Sequence, residues 1–524
     1  MWHSIVYILV DVQLPHGAAD ETRIISIVRR NYASVTQIYN ATHADENLPA
    51  TIQAGSDGQW LNKVIACQRD RWIRGGIGKN NEWGRRMTDT REKPKAPDQR
   101  PASAPEKPDK EQKKEASPEP QKAPSALPLE GVRVVDVGTF LAGPYAATIM
   151  AEFGADVYKV EHPLAGDPFR KLGTPTNRAD STLAWLSEAR NRKSVTINLR
   201  VPKGAELFRK LVAKCDVLVE NFRPGTLESW GVGWDMLRKD NPGLVMLRVT
   251  GYGQTGPYRY RRGFAHLAHA FGGLAYLSGF PGQTPVVPGP NPLGDYMVSL
   301  YGVIGVMLAL RYREQTGQGQ YIDIGSYEAV FRQLDEIATA YGLYGKIRER
   351  EGSGTVIACP HGHFRTKDNK WVAIACTNDK MFARLAEDAM KRPELAAEGT
   401  YGRKEKRLAA REAVDGIVTE WVGSLTRDEV MAKCLEAQVP IGPLNSVADI
   451  FADPHYKARG NLVTVNDPDV GEIVVPGVFP TLSATPGRVT NLGPPLGNAT
   501  DQVLGELLQL SATELSQLRK NRII

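Results

Sequence analysis

The run Val132-Arg133-Val134-Val135-Asp136-Val137 is followed by an apolar helical pattern from Pro144 to Phe153, and then by a second run, Ala155-Asp156-Val157-Tyr158-Lys159-Val160. Short runs rich in β-branched residues predict strands, and a helical period between two of them is typical of a βαβ unit. Such a unit implies parallel strands in a sheet covered by helices. This stretch therefore predicts an α/β fold with a Rossmann-like parallel sheet.

The alternation of strand and helix continues along the chain. Strand-like runs lie at 194–199, 216–219 and 244–249, and a helical pattern lies at 204–213. We expect these segments to extend the same mostly parallel sheet.

A second, smaller α/β domain is predicted further along. Helical periodicity at 381–390, 404–425 and 427–438 accompanies a strand-like run at 371–375. Pro- and Gly-rich segments follow, with a strand-like run at 472–475 and a last helical pattern at 501–510.

The N-terminal part of the chain has a different character. Residues 1–90 show no sustained hydrophobic period, so no fold is assigned to them. Residues 91–127 are rich in Pro, Lys, Glu, Ala and Ser and contain no aromatic residue, which predicts a disordered linker. The first residues lack a basic leader and make a poor signal peptide, and Met87 is an alternative start.

Composition excludes several classes of function. The chain has 524 residues and a net charge of +6, but no Lys/Arg stripe with interleaved aromatic residues, so we expect no nucleic-acid partner. Its five cysteines are far apart in sequence, which predicts no disulfide framework and a reducing, cytoplasmic location. The apolar run that ends at Leu310 is shorter than the roughly 20 residues of a membrane span, so we expect a core helix and no membrane partner.

One carboxylate stands out by its isolation. Between Asp240 and Glu314 the sequence holds six arginines and one acid, Asp295, where composition alone would give about eight acids. Asp295 precedes the apolar run 296–310, so it lies near the start of a predicted helix, where backbone N–H groups favour an ionised carboxylate. An ionised, partly dehydrated carboxylate suits covalent catalysis through an acyl-aspartyl intermediate. The simpler alternative is that Asp295 only caps the helix.

Two other motifs are weaker. Residues 251–256 match a dinucleotide fingerprint, but no apolar helix follows directly and no acid appears before Asp295, which argues against nicotinamide or flavin binding. Residues 359–363, Cys-Pro-His-Gly-His, could suggest a metal site, yet strand-flanking polar residues explain them as well, and we expect no metal.

Taken together, several motifs resemble the family III CoA-transferases, which include formyl-CoA:oxalate and carnitine CoA-transferases. The resemblance covers 127–524 and rests on these segments in family order: 129–136, 142–144, 154–161, 191–194, 219–225, 293–295 and 313–320. Asp295 falls where that family has its catalytic aspartate.

The resemblance implies a fold, a reaction and an assembly. It implies a large CoA-binding domain at 128–345, a small domain at 346–450, and a return to the large domain at 451–524. Asp295 would carry CoA from an acyl-CoA donor to a small carboxylic acid, with no permanently bound cofactor. Each ring-like subunit would thread through the other in an interlocked homodimer. The implied CoA contacts are His162, Ile197, Asn198, Arg200, Asn221, Phe222, Arg223, Thr250, Gly251 and Tyr252.

Departures from the family pattern bear on the substrates. Leu141 stands where the oxalate-using enzyme has Gln, which allows a larger or more apolar acyl group. His162 and Ser229 replace basic or imidazole side chains, and the glycine-rich flap is short, at 351–355. Two alternatives stay open. One is an α-methylacyl-CoA racemase of the same fold, whose His-Asp pair is here Phe264-Ala265 with His266 and His269 nearby. The other is a non-catalytic CoA-binding protein.

Overall fold

The computed structural model describes residues 126–524. The predictions for residues 1–90, for nearly all of the linker at 91–127, and for Cys67 and Met87 lie outside the described residues.

A six-stranded parallel sheet forms the centre of the larger part of the fold. Its strands lie in the spatial order β3-β2-β1-β4-β5-β6, and every neighbouring pair is parallel. Their bounds are β1 Arg133–Asp136, β2 Asp156–Glu161, β3 Arg192–Thr196, β4 Val217–Glu220, β5 Val245–Thr250 and β6 Tyr321–Gly325. This confirms the predicted α/β class with a Rossmann-like sheet.

Helices cover both faces of this sheet, because its inner strands are buried on both sides and need apolar partners on each. One core contains Phe208, Leu211 and Leu218, and the other contains Met150, Leu247 and Val306. The helices of this part, up to residue 344, are α1 Pro144–Glu152, α2 Leu183–Glu188, α3 Pro202–Val212, α4 Thr226–Ser229, α5 Trp234–Asp240, α6 Ala265–Phe271, α7 Leu274–Leu277, α8 Leu293–Thr316, α9 Ser326–Arg332 and α10 Ile337–Tyr344. A 3₁₀ turn at Pro168–Lys171 lies among them.

The smaller part has an antiparallel sheet and its own core. Strands β7 His361–Arg365, β8 Trp371–Ala375 and β9 Ile441–Pro443 pair in that order. Phe382, Leu385 and Val418 belong to the core beside them. The helices here are α11 Asp379–Ala383, which continues as a π-helix at Arg384–Ala389, then α12 Lys404–Ala409, α13 Arg411–Gly423 and α14 Arg427–Glu436, with a 3₁₀ turn at Pro393–Ala396.

The C-terminal segment packs again on the large sheet. Val503, Leu504 and Leu515 join the core that contains Phe208. Its elements are α15 Val447–Ala452, α16 Pro454–Ala458, the antiparallel hairpin of β10 Leu462–Asp467 and β11 Gly471–Pro476, α17 Thr500–Leu508 and α18 Ala512–Lys520. The domain boundaries given above stay predictions.

Several predicted elements need correction. The strand expected at 194–199 is β3 at Arg192–Thr196, because Arg192 is buried and bonded to Asp136 rather than lying in a turn. The helix expected at 404–425 breaks at Ala410, whose backbone is not helical. Strands β6, β7, β9 and β10 and helix α18 are among the elements that were not predicted.

The long apolar helix α8 has the length and composition of a membrane span, with a hydropathy of 1.7 over its most apolar window. It nevertheless packs along β5 and β6 and against α1. Val298, Val306 and Ala309 on it belong to the sheet's core. These contacts identify α8 as a core helix of the fold.

Candidate active site

The sheet reverses its strand order between β1 and β4, and the loops that leave these strands meet there. Such a switch point opens a crevice at the carboxyl ends of parallel strands, where α/β proteins bind ligands. Asn221, just after β4, ties the two loops together. Its Oδ1 accepts the Thr139 N–H at 2.8 Å and its Nδ2 donates to the Thr139 carbonyl at 2.7 Å.

Buried charges hold the loop between β1 and α1 in an unusual conformation. Phe140 has φ of 58°, in the left-handed region that a bulky residue rarely adopts. Its N–H donates to Asp167 Oδ1 at 3.1 Å. The fully buried Lys159 lies 2.9 Å from Asp167 and 3.4 Å from Asp136, and donates to the Gly138 carbonyl. The network thereby fixes Leu141, the next residue after Phe140.

Asp295 is the third residue of α8, not its N-cap. The N-cap is Pro292, which has no side chain able to accept a bond, and the Asp295 N–H donates to the Pro292 carbonyl at 2.9 Å. Among residues 126–524 no hydrogen bond or ion pair to the half-buried Asp295 carboxylate is present. Burial raises its pKa from 3.8 to about 6. Within the described part of the chain the carboxylate is thus partly dehydrated, without a hydrogen-bond or ion-pair partner, and still mostly ionised at pH 7.

The start of α8 lies against the Leu141 loop. Tyr296, the residue after Asp295, packs on the cluster of Leu141, Phe169 and Trp185. Ser299 Oγ donates to the Ala142 carbonyl at 2.7 Å. The structure therefore brings the predicted nucleophile and the predicted acid-side residue, Leu141, to one place, although Leu141 is only 6% exposed.

The remaining predicted CoA contacts lie at strand ends. His162 follows β2 and Arg200 follows β3, and burial together with the Arg200 charge lowers the pKa of His162. Arg200 is exposed, so it offers a cation for a phosphate group. Asn198 is fixed by its N–H, which donates to the carbonyl of Ile523 at 2.7 Å.

The loop after β5 brings two backbones into contact. A Cβ on Gly251 would lie 2.6 Å from the Gly263 Cα, so both glycines are required by close approach. Thr250 Oγ1 accepts the Gly253 N–H at 2.8 Å. Tyr252 stacks edge-on against Phe271 with ring centroids 5.2 Å apart.

Phe222 and Arg223 lie in the loop after β4. The Phe222 N–H donates to Glu220 Oε2 at 2.8 Å, and Phe222 stacks edge-on with Trp230. Arg223 is exposed and donates to the Tyr260 carbonyl at 2.8 Å, which links this loop to the one after β5.

Ile197 was predicted to contact CoA, but its side chain cannot do so. The Ile197 side chain is 1% exposed and belongs to the sheet's core, so only its backbone can face a ligand.

Sequence reasoning missed the supporting charges. Lys159 lies between Tyr158 and Val160 in the strand that was predicted to be buried, and a lysine in such a place could have indicated a buried ion pair. Glu220 ends β4, and burial raises its pKa to about 7 although Arg248 lies 2.8 Å away.

The comparisons with known proteins decide the family. The family model described as CoA-transferase family III matches residues 129–500. The chain belongs to this family.

Two curated relatives come from Chloroflexus aurantiacus. The chain is 69% identical to the alpha subunit of succinyl-CoA–L-malate CoA-transferase, over 76% of this chain and 93% of that protein. It is 58% identical to the beta subunit of that enzyme, over 76% of this chain and 99% of the relative. Among solved structures, a CAIB/BAIF family protein from Brucella suis matches with a TM-score of 0.66 and 32% identity, over 73% of this chain and all of that one.

This family III CoA-transferase accordingly acts on acyl-CoA thioesters and carboxylic acids. The histidines of the racemase alternative lie on α6 and are not equivalent. His266 is exposed, whereas His269 is buried and its Nε2 accepts the Gly294 N–H at 2.8 Å. The lone pair that a racemase base needs is therefore engaged by the backbone in His269.

Proposed function

We propose that Asp295 is the covalent nucleophile of a CoA transfer from succinyl-CoA to L-malate. The observation that carries the role of Asp295 is the state of its carboxylate, which is half-buried at a helix start with no partner in the described chain and a pKa raised by burial to about 6. The substrates are supported by the 69% identity to the alpha subunit of succinyl-CoA–L-malate CoA-transferase.

The reaction needs four acyl transfers and no external water, metal or redox partner. The Asp295 carboxylate attacks the thioester carbonyl of succinyl-CoA, the C–S bond breaks, and CoA leaves as thiolate from a succinyl-aspartyl anhydride. The thiolate then attacks the Asp295 carbonyl, which releases succinate and leaves an aspartyl-CoA thioester. Malate repeats the two steps in reverse, so malyl-CoA forms and the carboxylate of Asp295 is restored.

Each feature of the site serves one of these steps. A basic carboxylate without hydrogen bonds keeps its lone pairs available for attack, and the helix start stabilises the charge that returns at the end. The strand-end residues His162 and Arg200 and the loops at Phe222 and Tyr252 offer contacts for the CoA moiety along the edge of the sheet. Leu141 would bound the space for the acyl chain.

The substitution Asp295→Asn tests the chemistry. It keeps the size of the side chain and removes the anionic oxygen, so CoA transfer should fall by at least about a thousandfold while CoA binding persists. Hydroxylamine or borohydride trapping of the wild-type protein with succinyl-CoA should mark one peptide, which contains Asp295. Near wild-type transfer by the variant, or a trapped peptide elsewhere, contradicts the proposal. Rapid exchange of the substrate α-proton with deuterium would support the racemase instead.

We further propose that two copies of this chain assemble into the interlocked homodimer. Leu300, Ile304 and Leu308 form an exposed apolar stripe on α8, 50%, 54% and 67% exposed. Tyr344 on α10 is 78% exposed. Apolar surface of this extent is typical of an interface. The chain is similar to both subunits of one enzyme, which supports a second copy as the occupant.

Assembly is tested by sedimentation at nanomolar concentration. Ile304→Glu should abolish the dimer and the activity, whereas the exposed Lys239→Glu should preserve both. Active wild-type monomers contradict the interlocked dimer, because threaded rings cannot separate without unfolding. Dimers that form only with a homologous second chain would instead identify a hetero-oligomer. We also propose a cytoplasmic location, which the four buried unpaired thiols of the described chain support.

A further inference from the structure

The first turn of α8, which carries Asp295, has no capping side chain of its own. Its N-cap is Pro292, and no side chain from the N-cap position accepts a bond from the first turn. The N–H groups of Leu293 and Asp295 donate to the backbone carbonyls of Pro290 and Pro292 at 3.0 and 2.9 Å. The Gly294 N–H between them has no such backbone partner within residues 126–524, and a buried N–H left free is costly, so its acceptor must come from another element.

That partner is His269 on the neighbouring helix α6. Its Nε2 accepts the N–H of Gly294, the residue before Asp295, at 2.8 Å. The imidazole is 1% exposed, and its Nδ1 has no hydrogen-bond partner in residues 126–524. The bond to Gly294 is thus the one hydrogen bond that this buried ring makes within the described chain.

Close packing makes the contact specific for glycine. A Cβ on Gly294 would lie 3.1 Å from His269 Nε2 and 3.2 Å from its Cδ2, tighter than nearly all such contacts. Glycine at this position lets the ring edge that carries Nε2 approach the backbone of the first turn. Glycine also weakens a helix by about 1 kcal/mol relative to alanine, so the turn depends more on its external acceptor.

Only the neutral imidazole can make this bond, because Nε2 must keep its lone pair and the proton must lie on Nδ1. Burial and the nearby His266 lower the pKa of His269, which keeps the ring neutral at neutral pH. The ring therefore holds the nucleophile's turn without adding a charge beside its carboxylate.

We propose that His269 is the positioning residue of the nucleophile. By accepting the Gly294 N–H, it fixes the first turn of α8 so that the Asp295 carboxylate meets the thioester carbonyl in attack geometry. His269 does not touch the reacting atoms. This inference rests on the proposed role of Asp295.

Three substitutions separate positioning from simple core packing. His269→Gln places an amide oxygen near the position of Nε2 and can accept the same bond. His269→Asn carries the same amide on a shorter side chain that does not reach Gly294. His269→Leu fills the space and accepts no bond. The exposed His266→Gln on the same helix is the matched control.

The readouts are kcat, the KM for succinyl-CoA, the rate of hydroxylamine-trappable adduct in a single turnover, and Tm. We expect kcat and the adduct rate to fall about 30-fold or more in the Leu and Asn variants, with KM within about threefold, because misplacing an attacking group by about 1 Å costs on the order of 100-fold. The Gln variant should recover to within about fivefold of wild type, and His266→Gln should match wild type.

Two results overturn the inference. One is a Leu or Asn variant that forms the adduct within about threefold of the wild-type rate. The other is that the losses of kcat in the three variants are proportional to their losses of Tm, and that His269→Gln is no more active than His269→Asn. If the Leu variant does not fold, the comparison of Gln with Asn decides. An inactive Asp295→Asn beside a normal His269→Leu refutes only the positioning role, whereas an active Asp295→Asn refutes the proposed function itself.

Discussion

A stability measurement on Asp295→Asn separates a nucleophile from a charge that only stabilises the start of its helix. An aspartate of the second kind would lose its favourable interaction with the helix dipole in the Asn variant, which costs about 0.3 to 1 kcal/mol. A nucleophilic carboxylate that is kept partly dehydrated destabilises the folded protein whenever it is ionised. The two interpretations therefore predict opposite signs for the change in the free energy of unfolding.

The size of the effect follows from the pKa of Asp295. Burial raises that pKa from 3.8 to about 6, and each pH unit is worth about 1.4 kcal/mol, so ionising Asp295 in the folded protein costs about 3 kcal/mol. Partial solvent access and the helix dipole, which contributes about 0.3 to 1 kcal/mol, reduce this cost. We expect Asp295→Asn to stabilise the protein by about 1 to 2 kcal/mol at pH 8.

The pH dependence of this stability difference follows from the linkage between proton binding and folding. The folded protein holds the Asp295 proton more tightly than the unfolded chain, so the wild type loses stability as the pH rises from 3.8 through about 6. The neutral Asn variant lacks this loss. Its advantage should be largest above about pH 7 and fade towards pH 4.

The assay is urea unfolding or Tm at equal protein concentration, at pH 4.5, 6 and 8. Asp235→Asn is the control, since Asp235 lies exposed in the first turn of α5 beside Arg238. Losing that exposed charge should cost about 0.3 to 1 kcal/mol at pH 8. A less stable Asp295→Asn protein at pH 8, or an advantage that does not change with pH, would refute the reasoning.

Three further predictions concern the frame of the site. Lys159→Met should destabilise the protein by about 3 to 5 kcal/mol in urea unfolding, because it leaves the buried Asp167 without its cation and leaves Asp136 with Arg192 alone; a loss below about 1 kcal/mol contradicts this. Gly251→Ala should raise the KM for succinyl-CoA at least about tenfold in steady-state kinetics, since its Cβ would meet Gly263 at 2.6 Å; an unchanged KM shows that the loops do not bind CoA. A chain that begins at Ser125 should keep the full specific activity, because the linker composition provides no core; a soluble but inactive protein would show that residues 1–124 contribute to function.

The sequence alone was sufficient for the inner strands of the large sheet. The β1, β2, β4 and β5 segments were found within one or two residues, because each is a short run dominated by valine and other apolar residues, even where it also carries a buried charge such as Lys159. Strand β6 was missed because it lies at the sheet edge, where Tyr321 is 46% exposed and Asp323 interrupts the run. Edge strands need no uniform apolar pattern.

Long-range contacts limited the prediction of the site. Asp295 could be singled out because its isolation from other acids is a local property of the sequence. The bond between His269 and Gly294 joins residues 25 positions apart on two helices, and no periodicity signals such a pair. The same holds for Lys159 with Asp167, which only the packing of a loop onto a strand brings together.

The other buried acids of the described chain show why the isolation of Asp295 matters. All six carboxylates that are almost fully buried lie within ion-pair distance of a lysine or arginine; they are Asp136, Glu152, Glu161, Asp167, Glu220 and Asp467. The fold thus compensates buried negative charge wherever that charge serves structure, because an unpaired one is expensive. Asp295 is half-buried, and burial alone accounts for its raised pKa. The fold pairs the buried acids around the sheet with cations but leaves the Asp295 carboxylate without one. Asp295 therefore destabilises the folded protein when it is ionised. An unpaired, reactive carboxylate is what covalent attack on a thioester requires.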